Sequence, residues 1–294
     1  MLVTMKEILD RAQEGNYAVA APNVISEVEG RAILEAAEEL QSPLILDISY
    51  KGAMDMVFFG SYINRLADQA SVPVATNLDH GKDFDQCIIA VRAGLTSLMV
   101  DRSTLPLAEN IRQVREIVRV AHSAGMSVEA ELGHVSEGSE YEAKREIGMT
   151  DPAEAGRFVR ETGVDCLAVA IGTAHGTYSS TPVIDFDRIT RIKQAAGIPL
   201  VVHGASGTGE ENLRRMCRMG INKVNVSNDL LRAASEEIQT NDMTGDGAYQ
   251  LWKLIQKGYK RRLKEYIELL GSGGKAWTPG PRKLYRKEIE MSES

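Results

Sequence analysis

Eight short apolar runs, each followed by a stretch of helical periodicity, constrain the fold of this chain more than any other feature. The runs cover residues 17–24, 43–49, 73–79, 97–101, 127–132, 166–172, 199–204 and 223–227. Most are unbroken stretches of Val, Ile, Leu and Ala, which suit strands covered on both faces in a parallel sheet. Between them, residues 33–40, 62–70, 84–93, 108–124, 151–162, 186–196 and 210–219 carry amphipathic helical patterns. Several of these close on glycine, as at Ala93-Gly94 and Ala124-Gly125. Eight βα repeats in 294 residues imply an α/β fold, a (β/α)8 TIM barrel. Extra C-terminal helices are expected over residues 229–239 and 247–270. A doubly wound open sheet is the alternative. The barrel and these helices form one expected domain over residues 1–276, and residues 277–294 read as a flexible, charged tail.

Composition excludes some function classes. A formal charge of -7 and a pI near 5.4 disfavour nucleic-acid binding, which needs a basic footprint. No run reaches the roughly 18 apolar residues of a membrane span. The start of the chain lacks the basic and apolar regions of a signal peptide. Thr4 and Glu7 instead have capping-box spacing, so a helix should begin there. Cys87, Cys166 and Cys217 are scattered and odd in number, as expected of reduced packing residues in a cytoplasmic protein.

The chemistry-bearing residues fall at the C-terminal ends of the runs, where barrels of this class place their active sites. Three of the chain's five histidines sit there in glycine-bearing turns: His80 in N-L-D-H-G, His175 in I-G-T-A-H-G and His203 in V-V-H-G-A-S-G. Three neutral imidazoles can hold a zinc ion and leave one coordination position for a substrate oxygen. Asp79 precedes one of them. Neighbours on a strand point to opposite faces, but a bent strand end can turn both inward. A carboxylate there is either a base for a carbon-bound proton or an orienting partner of His80. The other strand ends carry Asn23, Asp47, Ser49, Asp101, Glu129, Glu131 and Asn225. Asn23 and Ser49 are candidate substrate contacts.

The turns after the seventh and eighth runs read H-G-A-S-G-T-G and N-V-S-N-D-L. Glycine lets backbone N–H groups approach an anion, and Ser206, Ser227 and Asn228 add side-chain donors. A phosphate group is the expected ligand. The polar stretch from Glu131 to Thr150 is long for a βα loop and reads as a lid or a solvated insertion. A Schiff-base mechanism is disfavoured, because Lys51 and Lys82 follow runs rather than lie within them. Lys223 opens the eighth run, at the end of the barrel opposite the expected site.

These residues resemble the class II, metal-dependent ketose-bisphosphate aldolases. The resemblance extends from Tyr17 to about Ala276. It rests on L-D-H-G, S-V-E-A-E-L-G, A-V-A-I-G-T-A-H-G, V-V-H-G-A-S-G, K-V-N-V and G-S-G-G-K-A together. It implies zinc on His80, His175 and His203, with Glu131 as an alternate ligand or close partner, and Asp79 as the proton carrier. It implies that Gly176, Gly204, Ala205, Ser206, Asn225, Val226, Ser227 and Asn228 hold a dihydroxyacetone-phosphate moiety. Carbonyls near Gly176 and Gly204 would bind Na+ or K+. The implied reaction is reversible cleavage of a phosphorylated ketose, and the implied assembly is a homodimer or homotetramer.

Several motifs depart from the family pattern. T-N-L-D-H stands in place of L-H-L-D-H, A-P-N in place of A-F-N, and N-V-S-N-D in place of N-V-A-T-E. The lid lacks G-G-x-E-D and reads S-E-G-S-E, so Glu137, Glu140 and Glu142 are the candidate lid acids. Lys51 or Arg102 is expected either to meet an acidic group on the aldehyde half or to be a solvated charge. A metal-dependent hydrolase and a non-catalytic barrel subunit are the alternative functions.

Overall fold

Why the apolar runs are continuous is clear from the sheet they form. The computed structural model describes residues 1–50, 52, 55–144 and 146–280, without the side chains of Glu142 and Lys144. Helix α1 (Met5–Glu14) precedes β1 (Val19–Pro22), α2 (Glu27–Glu39), β2 (Leu44–Ser49), α3 (Met56–Asp68), β3 (Val74–Gly81) and α4 (Phe84–Arg92). Then come β4 (Ser97–Val100), α5 (Leu107–Ser123), β5 (Ser127–Leu132), the short α6 (Tyr141–Lys144), α7 (Pro152–Thr162) and β6 (Cys166–Val169). Last are α8 (Phe186–Ala196), β7 (Leu200–Val202), α9 (Glu210–Arg218), β8 (Ile221–Val226), α10 (Asn228–Gln239) and α11 (Leu251–Leu270).

All strands pair in parallel in the order β1-β8-β7-β6-β5-β4-β3-β2. The Asn23–Asp47 bridge, with Val24 N–H donating to Asp47 O at 2.9 Å, closes the ring between β1 and β2. The open-sheet alternative is thereby excluded.

Side chains alternate between two cores, as a period of two requires. Val74 and Leu78 face the helices in one apolar layer, while Ala75 joins Val19, Ala21, Ile45 and Val201 inside the barrel. The floor of the barrel is closed by α1, whose Met5, Ile8, Leu9 and Ala12 are fully buried. Its capping box forms as expected, with Thr4 accepting from Glu7 N–H. Above this apolar floor the inward positions become polar: Asp47, Asn77, Glu129 and Lys223, all fully buried.

Lys223 is a correction. Strand β8 begins at Ile221, two residues before the apolar run, so Lys223 lies inside the barrel and not at its far rim. Trp277, expected at the start of a tail, is anchored instead. It packs against the barrel-floor cluster, and the guanidinium of Arg11 stacks 4.4 Å from its ring centre. Just before it, Gly274 and Ala276 N–H groups donate to Leu40 O and Gln41 O, each at 2.9 Å. The rest of the expected tail beyond Gly280 lies outside the described residues. Among the described residues, no helix is long and apolar enough to cross a membrane.

Candidate metal centre and active site

Strand β3 brings Asp79 and His80 to the same side by breaking its own register. The pairing with β4 shifts between Leu78 and Gly81, and His80 takes a left-handed φ of 54°. Such a bulge re-aims one side chain, and a non-glycine residue in this region is uncommon and strained. Glycine is needed at 81 because a Cβ would press on Met99 O at 2.8 Å.

The three strand-end histidines do converge. Ligating atoms of His80, His175 and His203 all lie within 4.8 Å of one another. His80 Nδ1 lies 2.9 Å from Asp101 Oδ2, and His203 Nε2 lies 2.8 Å from Glu129 Oε1. Carboxylates only accept, so each ring donates at that nitrogen. The remaining nitrogens, His80 Nε2 and His203 Nδ1, face each other at 3.1 Å. Without a metal, a proton on His80 Nε2 bridges the pair, and a divalent cation bound to both lone pairs would take that proton's place. The donor set therefore fits a divalent metal with imidazole preference.

Charge reinforces that fit. Burial would lower the pKa of His80, but Asp79, Asp101 and Glu131 raise it to about 10. The field that holds a proton there would hold a metal cation equally. His175 is pushed down to about 3 by burial and by His203 and His80, and His203 is lowered mainly by burial, so both are neutral ligands. Glu131 is raised to about 7, first by burial and then by Asp101. Its Oε1 accepts from Val135 N–H at 2.9 Å, while its buried Oε2 has no partner. Its carboxylate also groups with His80 and Asp101 as a second possible ligand set.

Asp79 sits beside the histidines, cradled by two amides. Asn23 Nδ2 donates to Oδ2 at 2.8 Å and Asn225 Nδ2 to Oδ1 at 3.3 Å. Burial would raise its pKa, but His80, His203 and Lys223 pull it down to about 2. It is an ionised, oriented carboxylate. Asn23 and Asn225, expected as substrate contacts, are thus bonded to Asp79.

The anion-binding turns also assemble. A cleft of 460 Å³ is lined by Gly176, Tyr178, Ser206, Gly207, Asn228 and Arg232, among others. Gly204 has φ +68°, and a Cβ there would run into the Ala174 backbone. Tyr178 Oη accepts from Ala174 N–H at 2.9 Å and donates to Gly204 O at 2.7 Å, which ties the β6 and β7 turns together. Ala205 and the Val226 side chain pack into the outer apolar layer, so these two residues can offer a ligand only their backbone. Ser227 stands at the N-terminal boundary of α10 without a side-chain cap bond, and Ser49 ends β2.

Other expectations separate from the centre. The lid segment docks beside His175: Gly138 N–H donates to His175 O at 2.6 Å, and His175 N–H to Ser136 O at 2.8 Å. Yet Glu137 and Glu140 are exposed, and the side chain of Glu142 lies outside the described residues, as does Lys51. Arg102 is not a solvated charge. It is 6% exposed, with Nη1 donating to Gly81 O at 3.2 Å and Asp101 O at 2.8 Å, and so braces the β3 bulge. Asp101 and Glu129, which the sequence placed at strand ends without a role, prove to be the histidine partners. Their signal was the inward register of Glu129 on β5 and the place of Asp101 directly after β4, two residues beyond the inward Met99.

A family model described as class II fructose-bisphosphate aldolase matches residues 3–275. The fructose-bisphosphate aldolase of Geobacillus stearothermophilus is 37% identical over 283 residues, covering 94% of this chain and 99% of that protein. The crystal structure of the YdjI aldolase from Escherichia coli K12 superposes with a TM-score of 0.85 at 35% identity, covering 94% of this chain and 100% of that one. A putative fructose-1,6-biphosphate aldolase from Coccidioides immitis superposes with a TM-score of 0.83 at 27% identity, covering 92% and 97%.

Proposed function

This chain belongs to the class II fructose-bisphosphate aldolase family, whose members are carbon–carbon lyases, and from that premise we propose a zinc-dependent, reversible cleavage of a phosphorylated ketose. The products are dihydroxyacetone phosphate and an aldehyde. Fructose or tagatose 1,6-bisphosphate, or a related ketose 1-phosphate, is the substrate class. One observation carries the reading: His80 Nε2 and His203 Nδ1, the ring nitrogens not held by a carboxylate hydrogen bond, face each other at 3.1 Å, with His175 and the ionised Asp79 alongside.

His80, His175 and His203 would hold the zinc, with Glu131 as an alternate ligand through its unpartnered Oε2. When bound, zinc supplies Lewis acidity toward the ketose carbonyl. Asp79 moves the carbon-bound proton. In cleavage it delivers a proton to the carbon released by C–C scission, and in synthesis it removes that proton from dihydroxyacetone phosphate. Asn23 and Asn225 keep the carboxylate aimed, so little reorientation precedes transfer. The proton on the hydroxyl that becomes the aldehyde falls to Glu137, Glu140 or Glu142 of the lid.

The phosphate lies in the 460 Å³ cleft, against the turns of Gly176, Gly204, Ser206 and Asn228. Backbone N–H groups and the start of α10 supply donors. Arg232 is the only cationic side chain among the cleft's lining residues, and Asp229 there is already paired with Arg262 at 3.1 Å. Carbonyl oxygens near Gly176 and Gly204 would take a Na+ or K+ ion. Self-association into a dimer or tetramer would cover Tyr249, in the turn before α11, and Trp252, in its first turn, which are 84% and 62% exposed.

The test is cleavage of a panel of ketose phosphates by zinc-replete protein, coupled to triose-phosphate detection, with and without EDTA. EDTA-sensitive release of dihydroxyacetone phosphate supports the reading. Release of inorganic phosphate instead indicates a hydrolase. No product from zinc-loaded protein indicates either a ketose outside the panel or a non-catalytic subunit.

A further inference from the structure

The charged layer beneath the histidines carries no proton and touches no substrate in the chemistry above, yet every member is buried. Lys223 and Glu129 are fully buried and His203 is 1% exposed. Lys223 Nζ donates to Glu129 Oε2 at 2.8 Å and lies 3.2 Å from Asp47 Oδ2. Asn77 Nδ2 donates to Asp47 Oδ1 at 2.8 Å. The other oxygen of Glu129 accepts from His203 Nε2 at 2.8 Å. These residues occupy inward positions of β2, β3, β5 and β8, directly above an apolar floor that includes Ile45, Ala75 and Val201. Buried ion pairs gain little over an apolar filling of the same volume. Stability is therefore a poor reason for this layer to be charged.

We propose that Glu129, anchored by Lys223, is the positioning residue that fixes the tautomer and ring angle of His203. The inference rests on the metal centre described above. Lys223 occupies Oε2, so the carboxylate can turn only Oε1 to the ring. That oxygen accepts and never donates, so the proton of His203 is kept on Nε2 and the lone pair on Nδ1 points toward His80 Nε2, 3.1 Å away. The opposite tautomer would set a bare Nε2 against a carboxylate oxygen. Asp101 does the same for His80 through the other ring nitrogen. Two of the three histidines thus reach the centre through opposite nitrogens, His80 by Nε2 and His203 by Nδ1, each turned by its own carboxylate, and Asn225 Nδ2, 3.3 Å from His203 Nδ1, favours the same tautomer.

Glu129→Gln tests this with little change in volume. The amide oxygen would go to Lys223 and the NH2 to His203, where it donates instead of accepting. The ring must then carry its proton on Nδ1, which blocks the ligand nitrogen. The first readout is zinc dissociation measured by competition with a chromophoric chelator, without substrate. The expected loss is roughly 10–100-fold or more. The second is the 15N shift pattern of His203, which is expected to show Nε2–H in wild-type protein and Nδ1–H in Glu129→Gln. Lys223→Met should weaken zinc in the same direction by freeing the carboxylate.

Zinc affinity unchanged in Glu129→Gln overturns the inference while leaving the metal centre intact. Wild-type protein that binds no zinc overturns both. If neither variant folds, the wild-type 15N pattern decides, and an Nδ1–H form of His203 in the metal-free protein sinks the idea.

Discussion

Asp101, from the next strand, holds His80: its Oδ2 lies 2.9 Å from Nδ1. The sequence neighbour of His80, Asp79, approaches only to 3.8 Å, at the metal-facing nitrogen. The two carboxylates therefore have separable duties. Asp79→Asn should lower kcat by roughly 10²–10⁴-fold with zinc content retained. Asp101→Asn should instead weaken zinc by roughly 10–100-fold, with kcat largely recovered at saturating metal. Metal titration beside steady-state kinetics checks both, and the reverse pattern would exchange their roles.

Proton release on metal binding follows from His80. With its pKa raised to about 10, the metal-free ring is protonated at neutral pH and must give up that proton to bind zinc. His175, at about 3, and Asp79, at about 2, contribute none in that range. Zinc affinity should therefore fall as pH falls, by about tenfold per unit below pH 10, with about one proton released from His80 per zinc. Calorimetry in buffers of different ionisation enthalpy measures the count.

Arg232 should matter to binding more than to turnover. It stands at an exposed edge of the cleft, so screening limits its effect. Arg232→Ala should raise KM for the phosphorylated ketose by roughly 3–10-fold at low salt, with kcat unchanged and Arg232→Lys close to wild type. An unchanged KM at low salt would place the phosphate elsewhere.

Gly204 is intolerant for two reasons that add. Its φ of +68° strains any side chain, and a Cβ would strike the Ala174 backbone. Gly204→Ala should cost about 2–4 kcal/mol in denaturant unfolding and displace the neighbouring His203 and Ser206. A wild-type denaturation midpoint would show that the β7 turn relaxes freely.

Much of the fold was legible because a buried parallel strand is constrained on both faces, so its apolar residues come unbroken. Every run lies within three residues of its strand at both ends for that reason. The eighth began two residues late because Asn222 is polar, although it is buried, and Lys223 was therefore placed at the rim. Lys223 belongs to an ion-paired layer, and pairing between distant strands leaves no periodic mark. The lid acid stayed unreadable for the converse reason: residues 137–140 are largely solvated and carry no repeat from which register could be inferred.

By itself, the sequence determined the barrel, the three histidines and the glycine turns, since each follows from local rules of burial, spacing and backbone freedom. Tertiary structure alone decided which carboxylate serves which ring. Asp101 meets His80 because β3 bulges at residues 78–81, and Glu129 meets His203 only because β5 and β7 are curved around one interior. Hydrogen-bond partnership depends on ångström distances between strands far apart in the chain, and those distances exist only once the barrel has closed.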